Sequence, residues 1–399
     1  MNKAIESSQS AMLASLQKQF VERFGDANGI QVAMAPGRVN LLGEYTDLND
    51  GFVLPMTVDR GVYLALRKRD DLMVRLYSAR YEELLEYPLD QYPDPKAGSW
   101  GSYVVGVIEE LRLRGLVENG FEAVIDGNLT LGAGLSSSAA LEVATAISLQ
   151  HLFGFEMDPV AMAKLCMHVE HNYANVLCGI MDQFASRVGH KDHALFLDCR
   201  SLDYKDIPLN LGDHRIVIIS SEVKRSLAAS AYNTRRAECH EAVEFFSQVD
   251  KAVSSLRDVS ADLFEQHCDA LSTNVRRRCR HVIAENQRVL DAINCLATGR
   301  LQDFGALMIK SHLSLRDDFE VSCAELDVLV KLARETDGVL GARMTGAGFG
   351  GCAVNLVATE AIENLTKRVV AVYETRFKLT PRVFTLEGNL EAGPLSITG

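Results

Sequence analysis

Proline, tryptophan and positive charge are all scarce in this sequence. The 399 residues include 9 Pro and 1 Trp, so the chain is neither collagen-like nor a proline-rich disordered segment. Acidic residues outnumber basic ones by 53 to 41, for a formal net charge of −12. That balance argues against a nucleic-acid protein, which needs a basic footprint for phosphate contacts. The one basic run, Arg276 to Arg280, reads as a solvated helix face beside Glu285. No apolar run is long enough to span a bilayer. The longest stretch without a charged residue, 344–359, is broken by Gly346, Gly348, Gly350 and Gly351. Lys18, Glu22 and Arg23 rule out a leader core near the start, so the expected compartment is the cytoplasm. Nine cysteines form no C-x-x-C pair and read as scattered reduced thiols rather than zinc ligands or a disulfide framework. His168 and His171 have no further ligand nearby in sequence, which favours a structural role. Two catalytic signatures are also missing. There is no Gly-Lys pair, hence no Walker loop, and no G-x-S-x-G elbow, hence no serine hydrolase of that type.

What remains is the composition of a soluble globular protein, 47% hydrophobic and 24% charged, with length for about two domains. Residues 11–24 place Leu13, Leu16, Phe20 and Phe24 at helical spacing. Strands are expected at 31–35, 62–68, 73–77, 121–126 and 194–198, and helices at 136–153, 158–175 and 182–189. Residues 203–214 collect Pro, Gly, Asn and Asp and mark the expected boundary between an N-terminal domain, 1–205, and a C-terminal domain, 206–399. Beyond it, strands are expected at 215–220, 341–345, 351–357 and 382–386, between helices at 231–247, 271–297, 301–315, 323–336 and 360–376. Strands and helices in both halves predict an α/β and α+β protein of two domains.

Four motifs carry chemistry. The run Leu131 to Ala140 (LGAGLSSSAA) combines glycines, three hydroxyls and a helix start. Glycines admit a close ligand, and a helix start offers unpaired N–H groups and positive dipole. The run suits a polyphosphate, and it equally suits a serine cap after a glycine turn. Gly346 to Gly351 (GAGFGG) has the letters of a dinucleotide fingerprint, but a strand rather than a helix follows it, so a tight loop between strands is preferred. Pro36 to Asp47 packs Arg38, Asn40, Glu44, Tyr45, Thr46 and Asp47 between turn signals, a density suited to a polyhydroxylated ligand or to an exposed polar loop. Cys178 to Gln183 places Asp182 at a helix start, with Glu170 on the preceding helix. Two such carboxylates can divide metal binding and proton handling, though a helix-initial Asp is also common for its own sake.

In this order, the motifs resemble the galactokinase family, within the superfamily of galactokinase, homoserine, mevalonate and phosphomevalonate kinases. The likeness runs from about residue 20 to 386 and includes GRVNLLGEYTDLN at 37–49, CGIMDQ at 178–183 and the segment Ser230 to Arg236. It implies a two-domain small-molecule kinase fold with its active site in the cleft between the domains. The implied reaction is phosphorylation of α-D-galactose at C1 by ATP, with Mg²⁺. By position, Gly132, Ala133, Gly134, Leu135, Ser136, Ser137 and Ser138 would hold the ATP phosphates, and Ser138 and Glu170 the metal. Asp182 would take the sugar's proton and Arg38 would stabilise the transferring phosphoryl group. Glu44, Tyr45, Thr46, Asp47, Gly179 and Tyr232 would line the sugar site. The implied partners are sugar and ATP only, with no nucleic acid or membrane, for a monomer or weak homo-oligomer. The family's His-Thr-Asp-Tyr is Tyr45-Thr46-Asp47-Leu48 here, which puts preference at C6 in question. A uronic acid is disfavoured, because Glu44 would face its carboxylate with no cation evident in the sequence. Related sugar-1-kinases acting on N-acetylgalactosamine, 6-deoxygalactose or L-arabinose remain alternatives. So does a catalytically silent sensor of galactose and ATP, although Arg38, Asp182 and Ser138-Ala139-Ala140 are intact.

Overall fold

The computed structural model describes residues 3–129, 134–223 and 228–396. Gly132 and Ala133 of the expected phosphate loop lie outside them. The central strands of the first sheet are buried on both faces, with successive side chains entering opposite cores. On the strand Gln31–Asn40, Ala33 and Ala35 enter the main core while Val32 and Met34 enter a second one. The neighbouring strand Pro55–Lys68 splits the same way, Leu64 and Leu66 against Tyr63 and Ala65. Six strands are ordered Gly393–Leu395, Gln31–Asn40, Pro55–Lys68, Phe121–Gly127, Met73–Ser78 and Glu83–Pro88. All pairings are antiparallel except that of Met73–Ser78 with Phe121–Gly127.

Helices Trp100–Leu113, Ser137–Phe153 and Pro159–Asn172 cover the main-core face, through residues such as Ile108, Val143 and Val169. The helix Lys3–Phe24 covers the other face with Leu16 and Phe20. It begins earlier than its apolar spacing indicates, and Ile5 joins the same buried cluster as Leu390. The helix Pro159–Asn172 starts as expected, with Pro159 in its first turn and the Asp158 carboxylate accepting the Ala161 N–H at 2.9 Å. Strand Glu83–Pro88 and helix Trp100–Leu113 were not anticipated. The strand lies at the sheet edge and is largely exposed, so its sequence carries no buried alternation.

A second sheet runs Val339–Thr345, Cys352–Ala358, His214–Ser220 and Arg382–Thr385, all antiparallel. Val217 and Ile219 meet helices Ala324–Arg334 and Ile362–Phe377 on one face. Ile216 and Ile218 on the other face join the main core, which is therefore continuous across both halves of the chain. The segment 203–214 is not wholly irregular, because Tyr204–Pro208 pairs with His193–Asp198 in a three-stranded sheet completed by Phe52–Val53. The basic run at 276–280 is not simply a solvated face. Arg278 is buried and donates to Glu238 at 2.6 Å and to Glu320 at 2.7 Å, because it shares the inward side of helix Thr273–Ala297 with Val275 and Val282.

Candidate active site

The site begins where the strand Gln31–Asn40 breaks register between Pro36 and Arg38. Pro36 has no N–H for the ladder. The Arg38 N–H instead reaches the Leu135 carbonyl at 3.2 Å. Gly37 allows this approach, since a Cβ there would stand 2.5 Å from the Leu135 oxygen. The Gly134–Ser138 segment is thereby fixed against the strand. Ser136 has a left-handed backbone (φ 54°), and helix Ser137–Phe153 starts immediately after it. Its first amides and positive dipole end lie beside Ser137 and Ser138 on the cleft wall.

Buried Arg38 pairs with the partly exposed Asp182. Arg38 Nε and Nη2 approach Asp182 Oδ1 at 2.8 and 2.6 Å. Ser136 Oγ donates to the other oxygen, Oδ2, at 2.5 Å, and Arg38 Nη1 donates to the Gly134 carbonyl at 2.7 Å. Asp182 lies in the first turn of helix Met181–Val188, as expected. Ser138 Oγ donates to Glu170 Oε1 at 3.1 Å, and the opposite carboxylate oxygen accepts from the Gln183 amide and, at 3.4 Å, from Cys178 Sγ. Burial, followed by the charge of Asp182, pushes the Glu170 carboxyl up to about 7. His171 has a structural bond, its Nε2 lying 2.8 Å from the Cys178 carbonyl.

At the other end of the cleft lies the Glu44–Asp47 turn. Glu44 accepts the Gly346 N–H at 2.7 Å and the Asn40 amide at 3.0 Å, and pairs with the buried Arg343. The cation that the sequence did not show beside Glu44 is thus Arg343. Burial raises the Glu44 carboxyl, opposed by Arg343 and Arg38. Tyr45 (φ 66°) gives its phenol proton to the Ala347 carbonyl at 2.6 Å and lies between the rings of Tyr232 and Phe319, at 5.5 and 4.6 Å. Asp47 abuts Gly179, where a Cβ would fall 2.0 Å from Asp47 Oδ2. Burial, then the charges of Asp182 and Glu44, push its carboxyl up to about 7. Thr46 does not line the cleft. Its hydroxyl faces the Gly43 and Phe52 carbonyls at 2.8 and 2.6 Å, inside the turn.

One cleft of about 420 Å³ joins these groups: Arg38, Glu44, Tyr45, Asp47, Gly134 to Ser138, Glu170, Gly179, Asp182 and Tyr232. Gly346 and Ala347 complete it from the loop between strands Val339–Thr345 and Cys352–Ala358. That loop opens no helix. Gly346, Gly348, Gly350 and Gly351 all have positive φ, and a Cβ at Gly348 would meet the Val321 carbonyl at 2.1 Å. A second cavity of about 310 Å³ shares Ser137 and Ser138 with the cleft and is lined by Tyr81, Trp100, Tyr103 and Leu141. Sequence reasoning missed this aromatic slot and also Arg343. An arginine inside the otherwise apolar strand Val339–Thr345 was the available signal, because a buried guanidinium demands a partner.

Known proteins resemble this chain in sequence and fold. Residues 18–68 match the galactokinase galactose-binding signature, 102–190 the GHMP kinases N terminal domain and 292–374 the GHMP kinases C terminal. A galactokinase from Clostridium acetobutylicum is 43% identical over 88% of this chain and 92% of its own. The chain belongs to the galactokinase family. A galactokinase from Bacillus subtilis is 40% identical over 92% of this chain and 94% of its own. The crystal structure of Lactococcus lactis galactokinase complexed with galactose superposes with a TM-score of 0.92 at 36% identity, covering 97% of this chain and all of that one (100%). Mevalonate kinase from Methanococcus jannaschii, with a TM-score of 0.63 and 19% identity over 89% of this chain and 96% of its own, shares the fold.

Proposed function

We propose that this kinase transfers the γ-phosphoryl group of ATP to the anomeric hydroxyl of α-D-galactose, giving α-D-galactose 1-phosphate and ADP. The observation that carries the reading is the continuity of one cleft. It runs from a helix N-terminus suited to phosphates, past the Arg38–Asp182 pair, to a carboxylate-lined turn suited to sugar hydroxyls. The aromatic cavity sharing Ser137 and Ser138 offers the nucleotide base a stacking surface beside the phosphate site.

In this reading Gly132 to Ser138 hold the phosphates, with Gly134 to Ser138 on the cleft wall. Asp182 takes the hydroxyl proton as the new O–P bond forms and the bond to the ADP oxygen breaks. Arg38 supplies fixed positive charge to the transferring group, in a loose transition state where positioning and electrostatics dominate. Glu44, Tyr45, Asp47, Gly179 and Tyr232 surround the sugar, and Thr46 shapes their turn from within. Ser138 and Glu170 would hold Mg²⁺: their hard oxygen donors are 3.1 Å apart, and burial beside another acid leaves the Glu170 carboxylate in want of a cation. Bound there, the ion would neutralise charge on the phosphate oxygens.

The division into domains 1–205 and 206–399 and a cytoplasmic location belong to the same reading. Among the described residues no helix is long and apolar enough to cross a membrane. Altered tolerance at C6 is favoured by Tyr45, whose phenol proton is engaged by the Ala347 carbonyl. The test is ATP-dependent product formation with galactose, its C2 and C6 variants and glucose, identifying the phosphorylated carbon. Product from galactose phosphorylated at C1 is expected, and phosphorylation at another carbon would overturn the assignment.

A further inference from the structure

We propose that Arg343 is a positioning residue for the sugar, holding Glu44 as an ionised acceptor with one lone pair directed to the ligand. The inference rests on the sugar-kinase reading above. Arg343 is fully buried and does not line the cleft, so it acts only through Glu44. It lies on strand Val339–Thr345, about three hundred residues along the chain from its partner. Its Nη2 donates to Glu44 Oε2, while Nη1 reaches the Asn40 carbonyl at 3.4 Å. Asn40 Nδ2 donates to the same Glu44 oxygen at 3.0 Å, and the Gly346 N–H donates to Oε1 at 2.7 Å. Thr345 Oγ1 closes the clasp, donating to the Asn40 carbonyl at 3.1 Å.

A carboxylate offers about four lone-pair sites. Arg343, Asn40 and Gly346 occupy three, and Glu44 lines the cleft. One acceptor site is left for a ligand. It can take a hydrogen from a sugar hydroxyl and cannot take an acceptor-only group in its place. The guanidinium does this at a cost, because its Nε is buried with no hydrogen-bond partner among the described residues. A fold selecting for stability alone gains little from a buried ion pair over apolar side chains. Retaining one against the substrate turn is explained by orientation of Glu44.

The test compares wild type with Arg343→Lys and with the double variant Glu44→Gln/Arg343→Met, measuring KM for galactose and ATP separately, kcat, and the thermal midpoint with and without galactose. Lysine keeps the charge but cannot span Glu44 and Asn40 as a fork does. Arg343→Lys is expected to raise the galactose KM at least about 10-fold, with the ATP KM held within about 2-fold and kcat within about 3-fold. The double variant removes both charges, so it should keep the unliganded midpoint and lose the galactose-dependent rise. An unchanged galactose KM in Arg343→Lys, or galactose and ATP KM values rising together with a fallen midpoint, would overturn the inference. So would an undiminished galactose response in the double variant. Failure of wild type to turn over galactose would instead break the activity reading, and this inference with it.

Discussion

The two ends of the cleft are built in opposite ways. At the end proposed for phosphate, Gly134 to Ser138 are contiguous, and the helix they open supplies amides and dipole from local backbone alone. At the sugar end, Glu44 is finished by Arg343 and Gly346, and Tyr45 by Ala347, all from the far half of the chain. A polyphosphate can be met by a local motif of this kind, which any surrounding fold can carry. A sugar's several hydroxyls need donors and acceptors converging from several directions, which only tertiary structure supplies. The Arg38–Asp182 pair sits between the two ends and touches the phosphate loop through Ser136 and Gly134.

This contrast can be broken by substitution. The largest effect belongs to the junction. Asp182→Asn should lower kcat by at least about 10²-fold, while galactose binding, followed by equilibrium titration, survives; near-normal turnover would remove Asp182 from the chemistry. Next is a pH effect on the galactose KM at the sugar end. The Asp47 carboxyl, raised to about 7 by burial and by Asp182 and Glu44, ionises only as pH rises through that value. If the ionised form accepts sugar hydroxyls, the galactose KM should rise by up to about 10-fold for each pH unit below 7, and Asp47→Asn should flatten the profile. A flat wild-type profile would show that Asp47 does not read the sugar as an anion.

Smaller effects sharpen the comparison. Tyr45→His should change the ratio of kcat/KM for galactose over 6-deoxygalactose by roughly 5-fold, about 1 kcal/mol and the scale of one modest contact; equal ratios would free C6 preference from this residue. Thr46→Val removes a hydroxyl that serves the turn and not the cleft. It should cost about 1 kcal/mol of stability, seen as a drop of about 1–2 degrees in thermal midpoint, and leave the galactose KM within about 2-fold. A large KM change with an unaltered midpoint would place Thr46 against the ligand after all.

What the sequence disclosed follows the same division. Short apolar runs predicted the strands around Val32 and Ile218, which are buried on both faces with successive side chains entering different cores. Asp158-Pro159 predicted a helix start, and with it the placing of Glu170 near that helix's end. The likeness to a known family brought Arg38, Asp182 and the glycine loops together, where their own spacing left bland readings open. Arg343 stayed hidden since its partner is remote in sequence: its place in a mostly apolar strand hints at burial but does not say which acid it meets. Thr46 was misplaced for the converse reason: its neighbours Tyr45 and Asp47 line the cleft, but its own hydroxyl turns inward. Edge strand Glu83–Pro88 escaped because a largely exposed strand has no apolar rhythm to read.

The short strand Gly393–Leu395 is the only partner that Gln31–Asn40 has on its outer side among the described residues. Until residues 393–395 are in place, that main-chain edge of the strand that carries Arg38 stands uncovered at Val32 to Met34. Unpaired edges recruit other chains. Removing 393–395 should accordingly show first as self-association, with the molecules that fold less affected in their chemistry than in their yield.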